Sequence, residues 1–183
     1  MKKEEARAHM KGLRTALTDE EIERRSALIC SALFSKEEYK SAKTVMVYLS
    51  AFGEADTEPI IADLRKRGAR VAVPVSDKHS SIITPVFLEG ELLEGAYGIK
   101  EPAQKREVPV DEIDLVIVPG VAFDKEANRC GFGKGYYDRL LKRTNAYRIG
   151  ICYDFQIVDE LETDEYDVPM NEVICDKFVI LNS

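Results

Sequence analysis

The chain has 183 residues with a net charge of −7 at pH 7, and 45% of its residues are hydrophobic. That length predicts a single domain, residues 1–183, able to bury roughly 70% of its unfolded surface. The acidic balance argues against a nucleic-acid binder, which needs a basic face, but leaves room for a local basic pocket that takes a small anion.

In chain order, residues 3–17 and 19–34 read as helices, the second opened by a capping box of Thr18 and Glu21. Thr44-Val45-Met46-Val47-Tyr48-Leu49 is a β-branched, apolar run of strand length. Asp56-Thr57 can cap a helix over about 58–67. Val71 to Val75 and Ile82 to Leu88 read as strands. Residues 89–109, with Gly90, Gly95, Gly98, Pro102 and Pro109, read as a long excursion with little regular structure. Leu115-Val116-Ile117-Val118 has the continuous apolar character of a strand buried on both faces. A glycine-rich loop follows, then a helix through Leu141, a strand from Arg148 to Tyr153, and one or two short strands within 173–181. Strands alternating with helices predict an α/β fold with a mainly parallel sheet. Ligands gather beyond the carboxyl ends of such strands, which points to the loops after Leu49, Val118 and Tyr153.

No apolar run approaches the roughly 18 residues of a bilayer span. The start, Met1-Lys2-Lys3-Glu4-Glu5, lacks the apolar core of a signal peptide. The four cysteines (Cys30, Cys130, Cys152, Cys175) are scattered without a CxxC pair and read as reduced thiols, so a cytoplasmic protein is expected. With only His9 and His79, a Cys/His zinc site is not expected, and any metal should be a hard cation held by carboxylates and phosphate.

The most informative stretch is Asn128-Arg129-Cys130-Gly131-Phe132-Gly133-Lys134-Gly135-Tyr136-Tyr137-Asp138-Arg139. Its alternating glycines leave bare N–H groups, cations flank them, and two tyrosines and an aspartate open the next helix. Anions bind well at such loop-to-helix junctions. The loop is neither a Walker A sequence, since Gly135 follows Lys134, nor the dinucleotide fingerprint, since the spacing is G-x-G-x-G. A phosphate site with a metal-ready carboxylate beside it is the first expectation.

Together with Lys3…Arg7, Tyr48-Leu49-Ser50…Glu54…Thr57, Glu101-Pro102, Val118-Pro119-Gly120-Val121-Ala122-Phe123-Asp124, Tyr153…Gln156 and Asp167, this loop resembles the 5-formyltetrahydrofolate cyclo-ligase family. The segments come in the family's order over nearly the whole chain. Three residues depart from the pattern: Ala127 stands where the family usually has a glycine, Cys130 where a leucine is common, and Ala55 where a larger apolar residue is usual. The resemblance implies a three-layer α/β/α sandwich, Rossmann-like, around a mainly parallel central sheet. It implies ATP- and Mg²⁺-dependent closure of 5-formyltetrahydrofolate, with or without a polyglutamate tail, to 5,10-methenyltetrahydrofolate, releasing ADP and phosphate. The partners expected are therefore small molecules, without nucleic acid or membrane, and a monomer is favoured.

Carried onto this chain, the resemblance makes Lys3, Arg7, Arg129 and Lys134 ATP ligands, with Gly131, Phe132, Gly133 and Gly135 supplying the cradle and Tyr136 and Tyr137 beside it. Arg129, Lys134 and Tyr136 are the catalytic candidates, Leu49 and Glu54 bind the folate, and Asp138 and Asp167 hold Mg²⁺. Charges on a helix face at the spacing of Lys3, Arg7 and Arg14 are usually only solvated, and without the family that reading leads. Adjacent tyrosines face different ways, so one of Tyr136 and Tyr137 should pack inward while the other meets ligand. The roles of Arg14 and Gln156 stay open, and Cys130 reads as packing. A non-catalytic nucleotide or folate sensor, and an isomerase or CoA-transferase-like enzyme using Glu54, are the rivals.

Overall fold

The computed structural model describes residues 1–77 and 79–182. Helices α1 (Lys3–Thr15), α2 (Asp19–Phe34) and α3 (Glu37–Ser41) precede β1 (Thr44–Val47), and α4 (Glu58–Lys66) leads to β2 (Arg70–Asp77) and β3 (Ile82–Phe87). A hairpin of β4 (Leu92–Glu94) and β5 (Lys100–Pro102) comes before β6 (Leu115–Val118), β7 (Ala122–Asp124), β8 (Arg129–Cys130) and α5 (Tyr136–Leu141). Then follow β9 (Tyr147–Ile151), β10 (Ile157–Val158), β11 (Glu172–Ile174) and β12 (Val179–Leu181).

The central sheet has seven strands in the order β12-β11-β9-β6-β1-β2-β3. The inner five run parallel, and the two edges, β3 and β12, are antiparallel to their neighbours. This is the expected α/β architecture. Its cause is visible in β1 and β6, which are buried at every position and so must be covered on both faces. Val45 and Val47 face one side with Leu33 of α2, Tyr39 of α3 and Leu64 of α4. Met46, one residue out of phase, faces the other with Leu140 and Leu141 of α5.

α1 instead covers the small β10-β7-β8 sheet, through Ala6 and Met10 against Ala122 and Cys130. The polar side of α1 is thereby carried to the end of the main sheet. Gln156 joins the same region, donating to the carbonyls of Gly120 (3.0 Å) and Val121 (2.9 Å) and accepting from the Tyr153 N–H. Its buried amide ties the turn after β9 to the loop after β6.

The capping box forms: Thr18 Oγ1 accepts from the Glu21 N–H, and the Glu21 carboxylate accepts from the Thr18 N–H. At α4 the work divides differently from expectation. Asp56 accepts from the Glu58 N–H at 3.0 Å, while Thr57 donates its hydroxyl to the Tyr48 carbonyl at 2.7 Å. The first helix stops at Thr15, two residues early, and three differences concern short elements: α3 and the β10-β7-β8 sheet were not anticipated, and the 89–109 excursion contains the β4–β5 hairpin. Strands of two or three residues are too short to carry a periodicity.

Ala127 sits in the left-handed region at φ 60° with its methyl fully buried. Left-handed backbone costs an L-residue about 1–2 kcal/mol, which glycine avoids. Losing the methyl costs about 0.8 kcal/mol, and the freer unfolded chain about 0.4–1. These nearly cancel, so Ala127→Gly should leave stability within about 0.5 kcal/mol, while Ala72→Gly, the same deletion in buried β2, costs about 1.5. Urea unfolding of both variants checks this, and equal losses would refute the strain at Ala127.

Candidate active site

Beyond the carboxyl ends of β1 and β6 lies a cavity of about 660 Å³, walled by Leu49 to Glu54, Pro119, the Arg129–Arg139 segment, α1 and residues 164–167. Two of the three loops anticipated from the strand-end rule line it. The third, after Tyr153, does not: its Asp154 is held by Arg25 of α2 at 2.8 Å. The turn containing Asp164 and Asp167 takes its place.

α5 has only six residues, so the helix dipole contributes little, and the cavity's positive character comes from side chains. The glycines make room for them. A Cβ at Gly131 would lie 2.6 Å from Arg129 Nη1. At Gly135, whose φ is +64°, it would lie 3.0 Å from Arg139 Nη1. Arg7 Nε donates to the Gly131 carbonyl at 2.8 Å, which docks α1 on the loop. Arg139 donates to the Ser81 carbonyl (2.7 Å) and the Lys134 carbonyl (2.6 Å), which ties the loop to the β2–β3 turn.

Two ion pairs organise the wall. Lys3 Nζ donates to Asp167, and Arg129 Nη2 donates to Asp138 at 3.0 Å. Val168, the residue after Asp167, donates its N–H to the other oxygen of Asp138 at 3.3 Å, so α5 and the acidic turn bring both aspartates together. Arg129 is buried, bonds the Pro119 carbonyl, and lies 5.5 Å from the Tyr137 ring. Lys134 lies 5.5 Å from the Tyr97 ring and has no carboxylate partner among the described residues. Phe132, at the loop tip, is exposed. No group of three or more His, Cys, Asp or Glu placed to hold a metal occurs among the described residues.

Glu54 accepts from the Ala51 N–H at 3.0 Å and stands 3.9 Å from Arg14 Nη2. Burial raises its carboxyl above the usual range, opposed by that N–H and by Arg14. Tyr137 packs inward, and its buried hydroxyl has no hydrogen-bond partner among the described residues; burial, helped by the Glu54 charge, pushes it far up. Tyr136 is hydrogen-bonded to the Tyr97 hydroxyl at 2.9 Å. Both tyrosines line the cavity. Cys130 is buried beside the Lys3 carbonyl, and burial pushes its thiol up, as befits packing.

The residues given a site role from the sequence all line this one cavity, Lys3, Arg7, Leu49, Glu54, Asp167 and the loop from Arg129 to Asp138 apart from Cys130, whereas Arg14 and Gln156, whose roles were open, do not. Sequence reasoning gave no role to Phe52, Tyr97 or Arg139, which also line it. Arg139 was within reach, since it closes the same motif; Tyr97 lies in a segment without pattern.

The 5-formyltetrahydrofolate cyclo-ligase family matches residues 1–176. The chain is 31% identical to the 5-formyltetrahydrofolate cyclo-ligase of Mus musculus over 183 aligned residues, covering 92% of this chain and 90% of that protein. It is 34% identical to that of Escherichia coli (strain K12), covering 88% and 93%. The solved structure of Aquifex aeolicus 5,10-methenyltetrahydrofolate synthetase superimposes with a TM-score of 0.86 at 36% identity, over 98% of this chain and 92% of that one. No helix among the described residues is long and apolar enough to cross a membrane.

Proposed function

Since the chain belongs to the 5-formyltetrahydrofolate cyclo-ligase family, and is thus a ligase acting on a folate, we propose that ATP and Mg²⁺ drive ring closure in this cavity. The product is 5,10-methenyltetrahydrofolate, released with ADP and phosphate, and residues 1–183 work as one domain. The observation that carries this reading is the pairing of Lys3 with Asp167 and of Arg129 with Asp138 on one cavity wall.

Such pairs fit a magnesium–phosphate ligand. Each aspartate offers hard oxygen donors, and Mg²⁺ is commonly held by one or two carboxylates plus phosphate and water. The ligand brings charge of both signs, so each cation can exchange its aspartate for phosphate oxygen without being left unpaired in a buried site. Mg²⁺, held there by Asp138 and Asp167, would neutralise phosphate charge. Arg129, Lys134, Lys3 and Arg7 would bind the phosphates, with the N–H groups of Gly131, Gly133 and Gly135.

The N5 formyl group is an amide whose oxygen cannot leave unaided. Transfer of the γ-phosphoryl group breaks its bond to ADP and makes a bond to the formyl oxygen. N10 then adds to the formyl carbon and loses its proton, and the carbon–oxygen bond breaks to release phosphate. No protein nucleophile is needed, which agrees with Cys130 standing outside the cavity lining. Positioning and charge stabilisation are the protein's contribution: Arg129 and Lys134 on the moving phosphoryl group, Tyr136 beside it, Leu49 and Glu54 on the folate.

The purified protein, given 5-formyltetrahydrofolate, ATP and Mg²⁺, should produce the methenyl compound's absorbance, and omission of ATP or metal should abolish it. Product formation that persists without ATP would exclude the phosphoryl-transfer reading. Binding of both ligands without turnover would leave a sensor instead.

A further inference from the structure

We propose that Arg14, in the last turn of α1, is a positioning residue that keeps Glu54 a carboxylate toward the folate and clamps the Glu54 loop beside the glycine loop. The inference rests on the folate role of Glu54 proposed above. Arg14 is not part of the cavity lining; it stands behind it, 7% exposed.

Three contacts from one guanidinium carry the argument. Nη2 donates to the Phe52 carbonyl at 2.8 Å. The same nitrogen stands 3.9 Å from Glu54 Oε1. The guanidinium carbon lies 5.6 Å from the centre of the Phe132 ring, at the tip of the glycine loop. One side chain thus touches the proposed folate loop and the proposed phosphate loop together.

The folate loop needs such a clamp. Phe52 and Gly53 are both left-handed, at φ 53° and 74°, and Phe52 bears a side chain in a conformation that L-residues disfavour. A Cβ at Gly53 would lie 2.9 Å from the Arg14 carbonyl oxygen, so the turn is pressed against the end of α1. A guanidinium holding the Phe52 carbonyl opposes relaxation of that strained turn.

Electrostatics points the same way. The groups facing Glu54 are Arg14 from α1, Tyr48 at the end of β1 and Tyr137 from α5, with Arg129 beyond the Tyr137 ring. Among the described residues Arg14 alone places a cation within 4 Å of the carboxylate. Burial raises the Glu54 carboxyl and Arg14 opposes the rise. Without the cation the carboxyl climbs further, so the charged form is lost at a higher pH as the solution is acidified.

The test is the Glu54 carboxyl titration, followed by ¹³C NMR in the ligand-free protein, beside the pH profile of kcat/KM for 5-formyltetrahydrofolate. Arg14→Met should move both the titration and the acid limb up by about 1 pH unit, the lower end of what an opposite charge at 4–6 Å produces. Arg14→Lys, which keeps a cation, should recover at least half of the displacement. Glu54→Gln, which needs no change at Arg14, should abolish the acid limb. A Glu54 titration that stays put in Arg14→Met, or a uniform loss of kcat/KM at every pH, would reduce Arg14 to packing. An acid limb surviving in Glu54→Gln would also overturn the inference. The NMR titration needs no turnover, so an inactive wild type would sink the ligase reading while the Arg14–Glu54 coupling was still measured.

Discussion

Replacing Arg129 by methionine should lower kcat by about 10³-fold, since one preorganised donor to a transferring group is commonly worth 10²–10³ and a phosphoryl-directed arginine more. Two features make the effect large. Arg129 is buried, so its charge acts where water screens little. Its guanidinium is also held by the Pro119 carbonyl and against the Tyr137 ring, contacts that remain when phosphate takes the place of Asp138. Methionine keeps the volume of the stem but leaves Asp138 without its cation. Because Asp138 is partly solvated and keeps the Val168 N–H, the stability loss should be about 2 kcal/mol, below the 3–5 of a fully buried pair. Single-turnover kinetics with saturating ATP, beside urea unfolding, separates the two effects. A fall in kcat below tenfold would remove Arg129 from the reacting phosphoryl group.

Asp138→Asn should raise the Mg²⁺ concentration for half-maximal activity at least tenfold. The change is isosteric and preserves an oxygen for the Val168 N–H, so the acidic turn should stay in place, although the amide NH2 turned toward Arg129 no longer accepts from it. The charge disappears too, and a hard divalent cation held by only one or two carboxylates loses much of its affinity when one becomes an amide. A magnesium titration of initial rates in wild type and variant decides it. Overlapping curves would take Asp138 out of the metal site and leave it as the structural partner of Arg129.

How much of this was legible beforehand differs from element to element. β1 and β6 could be read as strands from continuous apolar runs, and their complete burial bears that out. The Thr18–Glu21 box marked the start of α2 to the residue. α3, with five residues, and the paired strands β7, β8 and β10 escaped notice, because their stability comes from tertiary packing, around Tyr39 for α3 and around Ala122 and Cys130 for the strands, and not from any local pattern. Gln156 was ambiguous between substrate binding and turn capping for a similar reason. Its partners, the carbonyls of Gly120 and Val121, lie 35 or more residues away.

The glycine loop shows the division most clearly. The chain's local chemistry determined that this segment bends, exposes backbone and gathers cations, because glycine conformation and side-chain charge are properties of each residue. Its family resemblance added the class of reaction. Only the tertiary structure decided that Gly131 and Gly135 give space to the guanidinium groups of Arg129 and Arg139, and that Lys3 and Arg129 each hold an aspartate. It alone moved Arg14 from a helix-face charge to the buried neighbour of Glu54. Those facts depend on distances between segments up to 164 residues apart, which local spacing does not encode and the packing of α1 and α5 around the sheet does.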